Sequence, residues 1–441
     1  MSDQTKHVIF IELNEINFDY VKRYIDAGEK LSGFQRIIEG GMICTSSENE
    51  YKNLEPWIQW PSVHTGLTFD QHQIFRLGDS VNKDIEQFFE VIESAGFSVG
   101  AVSPMNAKNS LTNPDYFIPD PWTKTHADNS FSSKALSQAI SQAVNDNSNS
   151  KITFKSAMQL SWSFISLVKP SKFLPLISYA LRSYGKPWRK ALFLDKFLYE
   201  VHKSLLLRKK TNFSTLFLNA GAHIQHHYFF NSPFASSKLK NPKWYIDEKH
   251  DPFLEMLRVY DAMLDDLISF PEYDLIIATG LSQKPYAHLK FYYRLVDHLA
   301  FLKMLQINFE DVHPRMTRDF LITFKNADDT LIAEKKLNSI LVNGSDKLFN
   351  EIDNRGDSLF VTLTYPDEIT QQSKINLGDE IINLNQLVTF VAIKNGEHQS
   401  TGFSFFSDGV SDFAPPNGSH VSEINSSILQ IFGIRKDHRS A

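Results

Sequence analysis

A chain of 441 residues has room for two or three average domains or for one large α/β domain with insertions, and 42% hydrophobic with 22% charged residues is ordinary for a globular protein. Its 35 phenylalanines bring much aromatic surface to bury, which excludes wholesale disorder, and a single cysteine, Cys44, excludes an intramolecular disulfide and fits a reducing compartment. The net charge of −6 hides an asymmetry: residues 151–210 hold 13 Lys and Arg against Asp195 and Glu200, net +11, which leaves the rest of the chain at −17.

In chain order, the apolar run Val8 to Leu13 reads as a strand buried on both faces rather than an export leader, because no basic segment precedes it and Glu12 interrupts it. Phe18 to Ala27 predicts a helix closed by Gly28, and 41–48 a second strand. Pro56 to Thr65 predicts a helix with Pro56 at its first position and Gly66 as its C-terminal cap. Lys83 to Ala95 reads as a helix, 97–104 and 214–221 as strands, 250–270 as a long helix and 273–280 as a strand. Strands alternating with helices predict an α/β fold with a mainly parallel central sheet and helices on both faces. Ligands of such sheets lie beyond the carboxyl ends of the strands, here "ELNEIN", "NAGAHIQHH" and "ATGLSQKPY".

The basic stretch reads as two or three helices, with Trp162, Phe164, Phe173, Leu176, Tyr179, Tyr184 and Trp188 interleaved among its cations. The expected organisation is an α/β core over 1–140, a basic helical cap insertion over 141–212 with an exposed linker at 141–151, more core over 213–310, a β-rich portion over 311–393 and a closing core segment over 394–441. No stretch approaches the roughly 18 uncharged apolar residues of a membrane span. The expectation is a cytoplasmic protein, peripheral at the inner face of the membrane if the cap meets anionic lipid. A cap held on the acidic body by charge complementarity explains the same composition, and nucleic acid is not an expected partner, because the remaining −17 repels it.

Two constellations carry chemistry. His223, His226 and His227 follow a strand end and open a helix, where His223 shares a face with either of the other two. They are metal ligands, joined by His398 from "NGEHQSTGFSFF", or hydrogen-bonded linkers at a strand–helix junction. In "NLEPWIQWPSVHTG", Glu55 at a helix N-terminus is a capping carboxylate, or a general base or ligand facing the histidines, and Trp57 and Trp60 are core residues or a stacking platform for a sugar or base.

These motifs, in this order, resemble the alkaline phosphatase superfamily, in particular its type I phosphodiesterase/nucleotide pyrophosphatase branch. "HVIFIELNEINFDYV" resembles the first strand, which ends in Asp-Gly there; Asn14 stands at the metal-binding Asp and Asp19 at the later Asp. "EPWIQWPSVHTGLTFDQHQIF" resembles the nucleophile helix, with Thr65–Gly66 and His72 matching and Gln73 in place of Gly. "HIQHHYFF" resembles the Asp-x-x-x-His metal motif, as Ala222–His226 or as His223–His227. "YDLIIATGLSQ" resembles the strand ending in Ser-Asp-His-Gly, "GEHQSTGFSFF" the Gly-x-His element, and "SHVSEINSSILQIFGI" the closing helix. The resemblance runs from about residue 7 to 433, excluding the cap.

The resemblance implies the fold, two metals and a Thr or Ser nucleophile, and the chain departs from it at each functional slot. The nucleophile slot falls at Glu55 or Pro56, and Ser62 is about two turns too late. The Asp and His of the second metal fall at Thr279 and Gly280, so that site is dismantled. What remains implies at most one metal, zinc or another divalent ion, held by His223, His226 or His227 with His398. Glu55, Glu12 and Asn14 are the expected catalytic groups, and Trp57, Trp60, Thr279, Ser282 and Lys284 the expected substrate-binding ones. Two readings follow. The first is a hydrolase or transferase of a phosphodiester or related anionic ester, in cell-surface polysaccharide or lipid-head-group assembly and with a glycan- or lipid-linked phosphate-bearing substrate. The second is a catalytically inactive scaffold that binds a glycan or phospho-ligand.

Overall fold

The computed structural model describes residues 6–145, 154–235, 238–315, 318–377 and 380–434. The chain divides into two compact units, one of Met1–Ser236, Ile246–Pro285 and Gly396–Ala441, the other of Ser237–Tyr245 and Tyr286–Asn395. The expected linker at 141–151 lies partly in a helix, Phe131–Asn145, and otherwise outside the described residues.

The first unit is built on seven strands: β1 (Val8–Leu13), β2 (Ile43–Ser46), β3 (Val99–Val102), β4 (Tyr116–Ile118), β5 (Phe213–Leu218), β6 (Asp274–Ala278) and β7 (Thr401–Phe406). Their order across the sheet is β2-β7-β6-β1-β5-β3-β4. Every neighbouring pair is parallel except those of β7, which runs antiparallel to β2 and β6. This is the mainly parallel α/β sheet expected. β1 sits at its centre with all six residues buried, as a strand covered on both faces requires.

Glu12 is the exception in composition: its carboxylate lies inside the sheet layer, where Oε1 accepts from Thr215 Oγ1 at 2.7 Å and lies 3.4 Å from His64 Nε2. The helix Pro56–Thr65 has its expected bounds and closes on Gly66 in the left-handed conformation. Pro61 inside it cannot donate to the Trp57 carbonyl, and Asn106 Nδ2 donates there instead at 2.7 Å. The helix expected at 83–95 shortens to Phe88–Ser94, because Gln87 and Glu90 form a capping box that starts it later.

The basic stretch forms three helices, Phe154–Leu167, Phe173–Arg182 and Pro187–Lys209. The third belongs to the layer covering the sheet rather than to a cap: Leu192, Phe197, Leu198 and Val201 are buried, and it packs against β3 and β5. Leu176 and Trp188 are likewise buried, whereas Trp162 and Tyr184 are exposed. No described helix is long and apolar enough to cross a membrane.

The second unit has a core of its own around Phe320, Phe349, Leu359 and Val361. It holds two four-stranded antiparallel sheets and the helix Ala327–Asn338, capped by the Asn326 side chain. The β-rich portion expected at 311–393 is thus part of a larger unit that begins at 286 and adds 237–245. Two long strands, Ser282–Leu295 and Val388–Gln399, carry the chain out of the first unit and back.

His202, on the helix Pro187–Lys209, is fully buried with Nε2 2.6 Å from Ser214 Oγ and, among the described residues, no partner at Nδ1. Burial pushes its imidazole down to about 3, whereas an unfolded histidine titrates near 6.5. Above about pH 6.5 both states leave it neutral and its contribution is complete; below that, the unfolded chain takes up a proton that the folded chain does not, and stability is lost. The loss reaches about 1.4 kcal/mol per pH unit for one such group. Urea unfolding midpoints are expected to fall from pH 7 to pH 5, and to fall less in His202→Asn; equal slopes in the two proteins contradict this account.

Candidate metal centre

β1, β5 and β6 end level with one another, Leu13 beside Leu218 and Glu12 beside Ala278. Because β7 is antiparallel, its first residue rather than its last lies at this edge, and His398 just before it is delivered there. The histidine helix, Ala220–Tyr228, starts directly from the end of β5. Its N-terminus is held by Asp195 from the helix behind, whose Oδ2 accepts from Ala220 N at 2.8 Å and from the Tyr260 hydroxyl at 2.5 Å. Burial raises the Asp195 carboxyl to about 6.

At this edge three side chains converge: Glu15, His226 and His398. His226 Nε2 and His398 Nε2 lie 3.2 Å apart, and Glu15 Oε2 lies 3.2 Å from the first and 3.0 Å from the second. Burial alone would raise the Glu15 carboxyl, but the imidazoles of His398 and His226 hold it well below the usual carboxylate range. Burial would likewise depress His398; the Glu15 carboxylate, with Glu55 behind it, overcomes this and raises it to about 8.

Glu15 reaches this place through its backbone. Its φ of +63° lies in the left-handed region, which costs a non-glycine residue roughly 1 kcal/mol. The side chain is then fixed from both sides. Asn14 Nδ2 donates to Oε1 at 3.2 Å, and Gln283 Nε2 donates to Oε2 and, at 3.1 Å, to the Ala222 carbonyl. Gly396 allows Gln283 to lie there, since a Cβ on it would come 2.1 Å from Gln283 Oε1 and 2.7 Å from the Gln225 carbonyl.

The donor set fits a single divalent ion. Two imidazole nitrogens that face each other at 3.2 Å, and also face one carboxylate oxygen, can share only one proton between them along that contact. Tetrahedral ligands about 2.0–2.1 Å from zinc stand roughly 3.3 Å apart, close to the spacings seen here. Two imidazoles and a carboxylate leave the fourth position open, as in catalytic zinc sites.

Among the residues singled out from sequence, the structure brings His226 and His398 together and adds Glu15, which sequence reasoning passed over. His223 and His227 are turned to another face of the helix and pack edge-on against each other, ring centroids 4.8 Å apart, and burial depresses His223 to about 4. Glu55 sits beside the cluster, half-buried, with Oε2 3.7 Å from His398 Nδ1. The other expected roles are not what the structure shows. Glu12 is enclosed in the sheet layer, out of reach of any substrate. Asn14 has both ends of its amide engaged, donating to Glu15 and, at 2.8 Å, to Asn219 Oδ1, and accepting from Trp60 Nε1 at 2.8 Å.

Trp60 is fully buried against Phe10 and Phe217, and Trp57 donates from Nε1 to the Phe75 carbonyl at 3.1 Å. Thr279 Oγ1 accepts from Phe403 N at 2.9 Å, and Ser282 Oγ donates to the Thr401 carbonyl at 2.6 Å, so both hydroxyls tie down β7 rather than face a ligand. Lys284 pairs with Glu397 at 3.3 Å. Ser62 is buried, with Oγ 3.0 Å from His72 Nε2.

Several solved structures align with nearly the whole chain at low sequence identity. Phosphonoacetate hydrolase from Sinorhizobium meliloti 1021, in complex with phosphonoformate, is 11% identical over 97% of this chain and 96% of its own, with a TM-score of 0.44. Murine ectonucleotide pyrophosphatase/phosphodiesterase 5 is 12% identical over 99% and 98%, with a TM-score of 0.42. Alkaline phosphatase from the Antarctic bacterium TAB5 is 11% identical over 98% and 100%, with a TM-score of 0.42. No protein-family model matches the chain, and no curated protein matches it in sequence.

The relay from Trp60 through Asn14 to Glu15 can be tested directly. Trp60→Phe keeps most of the buried ring but removes the indole donor. It is expected to weaken divalent-metal binding by roughly 10–100-fold, as loss of a ligand's supporting hydrogen bond does. Metal titration followed by calorimetry reads this, and an unchanged affinity would show that the relay does not position Glu15.

Proposed function

We propose that the protein is a single-metal hydrolase or transferase of a phosphodiester or related anionic ester. The observation that carries this reading is the convergence of Glu15, His226 and His398 at the carboxyl edge of the sheet. The six motifs that resemble the alkaline phosphatase superfamily, read in order, point to the same class of substrate. A divalent ion held there supplies Lewis acidity to an ester oxygen and acidifies water. Glu15, His226 and His398 would hold the ion, Asn14 and Gln283 fix the Glu15 carboxylate, and Glu55, half-buried beside His398, would accept a proton. Buried Ser62 is spent on His72, so attack by a helix hydroxyl is not part of the proposal.

Protein purified without chelator is expected to hold about one zinc or other divalent ion per chain. Glu15→Ala, His226→Ala and His398→Ala should lose the ion, and His223→Ala should keep it. Turnover of aryl phosphodiesters or phosphate monoesters should follow metal content. Absence of metal from the intact protein overturns the proposal. Metal without turnover of any ester favours the second reading, a scaffold that binds a phospho-ligand, which the missing hydroxyl nucleophile supports.

We further propose that the first two helices of the basic stretch lie on an anionic membrane, where a lipid-linked or glycan-linked substrate of surface-polymer or head-group assembly would be met. Met158, Trp162 and Ile165 form one exposed stripe at helical spacing, and Leu174, Ile177 and Leu181 another, with Tyr184 92% exposed beyond them. Exposed Lys169, Arg182 and Lys190 accompany them. Large apolar side chains in water beside cations match a bilayer with acidic head groups. In flotation, the protein should rise with vesicles containing phosphatidylglycerol and not with neutral ones. Trp162→Asp with Leu174→Asp should abolish this, and equal recovery with neutral vesicles counts against it.

A further inference from the structure

The second unit carries a cleft of about 400 Å³ that the proposed chemistry does not use. That volume lies in the range of small-ligand sites. Its walls include Trp244, Tyr293, Phe390, Asn385, Glu368 and Thr389.

Trp244 is 55% exposed, in a stretch that forms neither helix nor strand. Its ring is nevertheless braced: it stands edge-on to Phe390 with centroids 5.0 Å apart at 80°, and lies over Phe291 at 6.3 Å and 26°. An indole clamped in position with over half its surface in water is a platform for a flat apolar face.

The polar groups around it are left with capacity. The Tyr293 hydroxyl accepts from Ile369 N at 2.9 Å, so its own proton is available to donate. Glu368 and Thr389 are exposed at the rim and add an acceptor and a hydroxyl. The described lining includes no Lys or Arg. A phosphate would find no counter-charge there and would be repelled by Glu368.

A flat apolar face surrounded by hydroxyls, without charge, is the chemistry of a pyranose ring. We propose that this cleft is a carbohydrate-binding subsite that takes one uncharged sugar unit of a glycan, stacked on Trp244, with hydroxyls donating to Glu368 and accepting from Tyr293. The subsite goes beyond the ester chemistry above and does not depend on the metal centre.

The full-length protein is screened by saturation-transfer NMR against neutral oligosaccharides containing hexose, deoxyhexose and N-acetylhexosamine units, with AMP and inorganic phosphate as charged probes. At least one neutral oligosaccharide should bind with roughly millimolar affinity or better. Trp244→Ala, a change on the surface, should weaken it about tenfold or more. His226→Ala should bind the sugar as the unaltered protein does, so that failure of the metal reading and failure of this one are told apart. No binding of any neutral sugar, binding that survives Trp244→Ala, or Trp244-dependent binding of AMP or phosphate alone would each overturn the proposal.

Discussion

A carboxylate buried at the end of the central strand needs compensation, and the candidate centre is built around meeting that need. Glu15 has left water almost completely, and an isolated buried charge is among the most costly groups in a protein. Two imidazoles and two side-chain amides surround it, each brought by a different part of the chain. The left-handed backbone at Glu15 is the local cost of aiming the carboxylate at the sheet edge instead of into the core. An acceptor ringed by donors in this way is stable, and the same carboxylate and imidazole nitrogens can turn to a cation.

The topology supplies the meeting place. Parallel strands put the ends of β1, β5 and β6 on one edge, and the antiparallel β7 brings an incoming segment to that same edge. Behind this edge the packing is specific. Trp60 fills the space between Phe10 and Phe217 and uses its one polar atom on Asn14. Asp195, from a helix rich in basic residues, holds the start of the histidine helix. Core packing and site geometry are therefore one network, in which side chains expected to touch substrate instead keep the ligands in place.

The two units divide their chemistry by charge. Around Glu15 the groups are ionisable and suited to a cation. The cleft of the smaller unit is lined by aromatic rings, Thr389 and Glu368, without Lys or Arg among its described residues.

Much of the fold was legible from local pattern. The apolar run at 8–13, Pro56 and Gly66 around a helix, and the strand–helix alternation over 213–280 depend on short-range rules that act before the chain is packed. His398 was legible through its position before an apolar strand. Glu15 was not, because a glutamate after an asparagine carries no sign that the backbone there turns left-handed and swings its carboxylate to the sheet edge. The choice of His226 over its neighbours was equally hidden: adjacent residues on a helix point about 100° apart, and which one faces inward depends on how Asp195 and Tyr260 dock the helix. Trp60, Thr279 and Ser282 look identical in sequence whether they face a ligand or the core. Sequence alone determined the alternation of elements and the chemical types available at the strand ends, since these follow from periodicity and composition. Only the tertiary structure decided which of those groups share one point in space, because that depends on strand direction, backbone handedness and packing between segments up to some 380 residues apart.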